Sequence, residues 1–188
     1  MSKVTWKPGT LLYPLPPVMV SCGTFEKPNV ITIAWTGIVN SDPAMTYISV
    51  RPERFSYGLV KETGEFVINL PTEKLARITD YCGVKSGRDI DKFSLAEITA
   101  ERSSLVSAPI IAECPANIEC RVEQIISLGS HDMFLSKILA VDVDDKLLDA
   151  KGVLHLENAG LIVTSHGEYF SLGRKLGSFG YSVRKKKR

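Results

Sequence analysis

The hydrophobic pattern is organised around the stretch from Asn29 to Tyr57, where apolar and β-branched residues gather in two strand-like runs. Two runs rich in Ile, Val, Thr and aromatic residues, 30–39 and 45–50, flank Asn40-Ser41-Asp42-Pro43, a pattern that predicts two strands joined by a turn. Upstream, residues 10–17 are punctuated by prolines, 18–25 reads as a short strand, and Glu26-Lys27-Pro28-Asn29 reads as a turn. Downstream the period changes. Phe55, Leu59 and Val60 share one face of a short helix over residues 55–63, with Gly64 suited to end it. Residues 66–70 predict another strand. Thr72 stands as N-cap of a helix to about Cys82, with Leu75, Ile78 and Cys82 on one face. Residues 83–93 form a polar loop, and 94–107 carry little pattern.

The second half returns to strands. Residues 116–127 and 133–143 are apolar and β-branched, joined by Leu128-Gly129-Ser130-His131-Asp132, and 161–165 is a further strand ahead of His166-Gly167-Glu168. Short strands at turn-marked intervals predict a mainly β chain, a β-barrel or meander with a few short helices. No repeat or linker divides residues 1–188, so one domain is expected.

Composition narrows the partners. Apolar residues at 44% and charged residues at 23% suit a soluble globular protein of 188 residues. A net charge of +2 gives no basis for a nucleic-acid partner over the whole surface. The basic run Arg184-Lys185-Lys186-Lys187-Arg188 reads as a solvated terminus, because it offers nothing apolar to bury. No apolar run nears the ~18 residues of a membrane span, and the first ten residues lack a signal core, so the cytoplasm is expected. The four cysteines include no Cys-x-x-Cys pair and are expected as reduced, half-buried thiols.

Few residues invite chemistry. There is no Gly-x-Ser-x-Gly elbow, Walker A loop or Gly-x-Gly-x-x-Gly. His131, His155 and His166 lack zinc-ligand spacing, so no metal is expected. Two anion-binding candidates remain. Arg51-Pro52-Glu53-Arg54-Phe55-Ser56-Tyr57 gathers two guanidinium groups and a hydroxyl at a strand-to-helix junction, where free backbone N–H groups favour phosphate. Ser86-Gly87-Arg88 with Asp89, Asp91 and Lys92 is a turn able to wrap an anion. Arginines in water and local Asp–Arg pairs are the alternatives.

In order along the chain, N-V-I-T-I-A-W, the S-D-P turn, I-S-V-R-P, E-F-V-I-N-L-P, Y-C-G-V-K-S-G-R-D-I-D-K-F, G-S-H-D-M-F-L-S-K-I and Y-F-S-L-G resemble the flavin reductase-like family, most of all its flavoredoxin branch. The resemblance implies a split β-barrel that binds FMN. It puts Ala34, Trp35 and Thr36, and Ser49, Val50 and Arg51, beside the flavin. Arg51, Ser56, Ser86, Gly87, Arg88 and Lys92 then address the phosphate and ribityl chain, and Asn69 reaches the ring or ribityl chain. His131 and Tyr169 approach from one or the other subunit of a homodimer, and His131 is the one candidate for tuning protonation. Other roles stay open: core packing for Trp35 and Tyr169, an outward position for Ser49, a cap at Pro71 for Asn69, and a loop contact for His131. Many flavin reductases of this family carry a Ser-x-x-Pro-Pro turn where this chain reads Ser41-Asp42-Pro43-Ala44. NAD(P)H is therefore one candidate donor and a redox protein another. The implied activity is an FMN-dependent oxidoreductase; the alternatives are a non-enzymatic FMN electron-transfer protein and a barrel binding module.

Overall fold

Both faces of the first strand, β1 (Val18–Thr24), are buried. In this computed structural model, which describes residues 1–184, β1 pairs with β2 (Lys27–Ile33) on one side and β5 (Glu65–Asn69) on the other. The sheet continues through β8 (Ala116–Ser127), β9 (Asp132–Val143), β4 (Ala44–Val50) and β3 (Thr36–Ser41). These seven strands, in the order β2-β1-β5-β8-β9-β4-β3, pair antiparallel throughout. Two small ribbons accompany it: β6 (Ala100–Glu101) with β7 (Ile110–Ile111), and β10 (Ile162–Ser165) with β11 (Glu168–Ser171). Helices α1 (Phe55–Thr63), α2 (Ala76–Val84) and α3 (Lys92–Leu95) are short. The chain is mainly β, as the alternation predicts.

The period of two in β1 divides the interior. Val18, Val20 and Cys22 join Ile31, Ile48, Phe66 and Phe134 in one cluster. Met19, on the opposite face, meets Val30, Leu75, Phe93 and Ile111 beneath α2 and α3. Gly64 ends α1 in the left-handed region, its N–H bonded to the Val60 carbonyl, as its place after Thr63 suggests.

Several expectations change. The run 30–39 is not one strand: it breaks at Ala34-Trp35, because β2 and β3 stand at opposite ends of the sheet. The Trp35 carbonyl accepts the Ser49 N–H at 2.9 Å, so the crossing segment stays tied to β4. The helix expected from Thr72 begins as a 3₁₀ turn, Glu73–Leu75, and α2 runs on to Val84, with no capping bond from the Thr72 side chain. Within the expected loop, Asp91 accepts the Ser94 N–H and starts α3. Beyond the expected strand at 161–165, Glu168–Ser171 forms β11 and pairs antiparallel with β10, a four-residue strand with polar ends that carries little sequence pattern. The cysteines are free but fully buried rather than half-buried, and burial pushes Cys22 and Cys82 up to about 11. Residues 185–188 of the basic run lie outside the described residues. Among the described residues no helix is long and apolar enough to cross a membrane.

Two buried polar side chains hold the interior in register. Asn69 donates to Met19 O (2.9 Å) and Ser21 Oγ (3.0 Å) and accepts from Ile111 N (2.9 Å) and Asn117 Nδ2 (2.7 Å). Glu119, fully buried, accepts the N–H groups of Ser104 (2.7 Å), Leu105 (2.7 Å) and Val106 (3.0 Å). Burial raises its pKa, but these bonds outweigh that and hold it below the usual carboxylate value. Glu119→Ala would strand three backbone donors, each costing about 1–3 kcal/mol when left unpaired in the interior. Urea unfolding should show a loss of at least ~2 kcal/mol, with a smaller loss for Glu119→Gln; an unchanged midpoint for Glu119→Ala would refute this.

Candidate functional site

The break at Ala34-Trp35 sits beside the end of β4, where the chain passes through Arg51 to Arg54 into α1. A cleft of about 480 Å³ opens there, within the ~300–1,000 Å³ common for small-molecule sites. Arg51, Glu53 and Arg54 form one wall, and Phe55 and Ser56 bring in the start of α1. Lys85, Ser86 and Gly87 form the facing wall, with Lys92 and Ile31 beneath. Four cations thus oppose one carboxylate. The α1 N-terminus has no side-chain cap; the Tyr57 N–H is bonded to Arg54 O at 3.0 Å, so the Phe55 and Ser56 N–H groups are those an anion could meet.

Lys92 is the most constrained of these cations. It is 4% exposed, and its ammonium donates to the carbonyls of Val30 and Cys82, each at 2.8 Å. No carboxylate pairs with it among the described residues. Burial holds its pKa below the ordinary lysine value of 10.5. Ser56 is also buried, and its Oγ accepts the Asn29 Nδ2 proton at 2.7 Å, which frees the hydroxyl proton to donate elsewhere. Asn29 explains Gly87 as well: a Cβ at that position would overlap Asn29 Oδ1 and crowd Phe55.

A smaller cavity of about 180 Å³ adjoins and shares Ile31, Arg51 and Arg54. Thr32, Ile33, Ala34, Trp35, Ser49, Val50 and His131 line the rest of it. Trp35 and His131 meet here with ring centroids 4.3 Å apart. Burial and the nearby Arg51 charge lower the His131 pKa, against a smaller opposing pull from Glu53. The two cavities give one elongated site that shares Arg51 and Arg54, with Lys85 and Lys92 at one end and the Trp35–His131 pair at the other.

Most of the residues singled out in the sequence converge here: Ala34, Trp35, Ser49, Val50, Arg51, Ser56, Ser86, Gly87, Lys92 and His131. Four do not. Thr36 is buried and donates to Tyr47 O at 2.6 Å. Asn69 is spent in the interior network. Arg88 faces a neighbouring concavity. The Tyr169 hydroxyl lies 3.4 Å from Asp80 beyond the site. Arg54, the second guanidinium group of the run 51–57, also lines the cleft. Ile31 and Lys85 were not singled out by the sequence: Lys85 directly precedes Ser86 and so had a signal, whereas Ile31 had only its strand period.

Residues 10–168 match the family model described as flavin reductase like domain. A protein of Archaeoglobus fulgidus without an assigned function is 36% identical over 140 residues, 74% of this chain and 78% of that one. Among solved structures, flavoredoxin of Desulfovibrio vulgaris (Miyazaki F) aligns with a TM-score of 0.90 at 28% identity, over 97% of this chain and 100% of its own. Flavoredoxin from Methanosarcina acetivorans aligns with a TM-score of 0.88 at 25% identity, over 98% and 100%. The fold is the split barrel of flavin-binding proteins.

The surroundings of His131 predict its titration. Its ring-proton resonances should show a midpoint below the ordinary 6.5, leaving the ring neutral at pH 7. Because the folded state takes up this proton less readily than the unfolded chain, protonation at lower pH opposes folding. Arg51→Ala should raise the midpoint and Glu53→Gln should lower it further; a wild-type midpoint above 6.5 contradicts the assignment.

Proposed function

The chain belongs to the flavin reductase-like family, and we propose that it is an FMN-dependent oxidoreductase passing electrons from NAD(P)H or a redox partner to an acceptor. The observation that carries FMN is Lys92: a buried ammonium with no carboxylate partner among the described residues, at the base of a cleft rich in cations. A terminal phosphate is the anion such a site fits. Arg51 and Arg54 supply charge-assisted bonds, Ser56 a hydroxyl proton and Ser86-Gly87 a close backbone approach. Ala34, Trp35, Ser49, Val50 and His131 border the end that suits the ring.

Bound flavin supplies the electron chemistry, and the protein supplies binding, orientation and electrostatics. Lys92, Arg51 and Arg54 would hold the phosphate end, and Trp35 and His131 would then border the ring end. His131, neutral at pH 7, offers a ring nitrogen beside the cavity without adding positive charge there. Its Nδ1 lies 3.0 Å from Ser130 Oγ.

The protein acts as a symmetric homodimer of a single domain in the cytoplasm. Ile38 and Val39 expose apolar side chains on the edge strand β3, and Leu128 and Val141 expose others near the turn and far end of the β8–β9 pair. A second copy covers such an edge at low cost.

Charge-assisted bonds are each worth about 1.5–3 kcal/mol, so FMN should bind at least ~10-fold more tightly than riboflavin. Equal affinities in a fluorescence titration would overturn the reading. Lys92→Met should erase most of that preference while riboflavin still binds, which reports a folded variant. In the wild type the preference should fade as pH rises through the Lys92 pKa, which burial holds below 10.5. Anaerobic mixing with NADH and NADPH then separates the donors: bleaching of the flavin by either marks a nicotinamide-fed enzyme, and bleaching by neither marks a carrier fed by a redox protein. Light scattering that finds a monomer with full flavin affinity would remove the dimer.

A further inference from the structure

Asp132 stands where three walls of the cleft meet. It is the first residue of β9, is buried, and pairs with Val50 at the end of β4 and with Ser127 at the end of β8. Val50 leads directly into Arg51, and Asp132 directly follows His131. A third element arrives through a side chain: Tyr57, in the first turn of α1, donates its hydroxyl proton to Asp132 Oδ2 at 2.7 Å. One carboxylate therefore connects the strand that delivers Arg51, the turn that delivers His131 and the helix that delivers Ser56. Neither Tyr57 nor Asp132 lines the cleft itself.

Packing holds this contact in place. The Tyr57 ring meets Phe134 edge-on, with centroids 5.3 Å apart, and Phe134 is fully buried. Lys61, one turn further along α1, sets its ammonium 5.9 Å from the centre of the same ring. The bond from Tyr57 does most to hold the Asp132 carboxyl below its ordinary range; Ser127 and the Lys61 charge act in the same direction, against burial. The same bond, together with burial, pushes the Tyr57 hydroxyl up. At neutral pH the pair is thus a phenol donating to a carboxylate, a charge-assisted bond roughly twice as strong as a neutral one. The turn between β8 and β9 otherwise closes on itself, with Leu128 N–H bonded to His131 O at 3.0 Å. Asp132 is the point at which it is joined to α1.

We propose that Tyr57 and Asp132 are positioning residues for the cleft: their bond fastens the turn carrying His131 to the start of α1 and fixes the Trp35–His131 pair relative to the cationic wall. The assignment rests on the flavin reading for what the cleft holds. On that reading the span from phosphate to ring belongs to one bound molecule. Walls that moved independently would have to be ordered by the ligand, at a cost in affinity. A hydrogen bond between those walls, made outside the cleft, sets the span before binding.

The test uses the full chain, with two variants. Tyr57→Phe removes the bond and keeps the ring against Phe134; Asp132→Asn keeps an acceptor oxygen for the Tyr57 hydroxyl. In the flavin-free protein, the ring-proton resonances of His131 report both its titration and the ring current of Trp35, 4.3 Å away. Tyr57→Phe should move the His131 midpoint up toward 6.5, as its burial beside Arg51 and Glu53 is relaxed, and should shrink the shift induced by Trp35. Asp132→Asn should keep the midpoint low. A merely structural bond would lower the urea midpoint of Tyr57→Phe and leave the His131 resonances as in the wild type. A His131 midpoint raised in neither variant, or raised equally in both, overturns the proposal. With flavin present, Tyr57→Phe should weaken FMN and riboflavin alike, at least ~3-fold each, because Arg51, Arg54 and Lys92 are untouched. A loss confined to FMN would place Tyr57 with the phosphate end alone and also overturns it. Resonances that move as expected in a protein that takes up neither flavin overturn the flavin reading and leave the positioning role standing.

Discussion

An ammonium buried without a counter-ion is the constraint on which the site and its surroundings depend. Lys92 spans three elements: it sits on α3 and donates to Val30 on β2 and to Cys82 on α2. Since β2 is an edge strand, its outward carbonyls have no ladder partner, and Lys92 satisfies one of them. The charge is not neutralised by its neighbours. Burial raises the Cys22 and Cys82 thiols to about 11, so both remain protonated at neutral pH. Two charge-assisted bonds return about 1.5–3 kcal/mol each, against a desolvation cost of several kcal/mol for a buried ion. The protein carries that deficit at the base of a cleft, where an anion can reduce it.

The location of the Trp35–His131 end of the cleft follows from how the sheet turns back on itself. β2 and β3 are consecutive in the chain and terminal at opposite ends of the strand order. The short segment between them must cross, and crossing residues cannot keep both of their ladder partners. Ala34 and Trp35 are those residues, and only part of the pairing survives, through Ser49 N–H and Trp35 O. Large side chains can turn outward at such a break; Trp35 does, and meets His131 from the β8–β9 turn. Binding surface at this point is thus a by-product of closure.

How far the sequence disclosed this depends on the range of the interactions involved. α1 was legible to the residue because its face, its length and Gly64 are local signals. β8 and β9 were legible because twelve-residue strands carry their pattern over many alternations. The break at Ala34-Trp35 was not, since residues 30–39 are uniformly strand-like and only the return of the sheet divides them. Asn69 shows the same limit within the site. Its position at a strand end suits a ligand contact, yet partners 42 to 50 residues away consume its amide. Arg88 and Lys92 look alike in the sequence, four residues apart on one polar loop. The start of α3 at Lys92 turns one inward, and the turn at Gly87 sends the other to the far side.

Asn29 shows that the cationic end is assembled before any ligand arrives. Its Nδ2 fixes Ser56 at the start of α1, and its Oδ1 abuts Gly87 in the loop after α2. One buried amide on β2 thereby sets the spacing between two walls that are 31 residues apart in sequence, Ser56 and Gly87. Because the Ser56 oxygen already accepts from Asn29, its own proton is the part of the hydroxyl left for the cleft. Loops shaped this way need little reordering on binding, so less of the interaction energy is lost to conformational entropy. The order of events is then fixed by physics: packing places Asn29, Asn29 places Ser56 and Gly87, and an anion meets a site whose donors already face it.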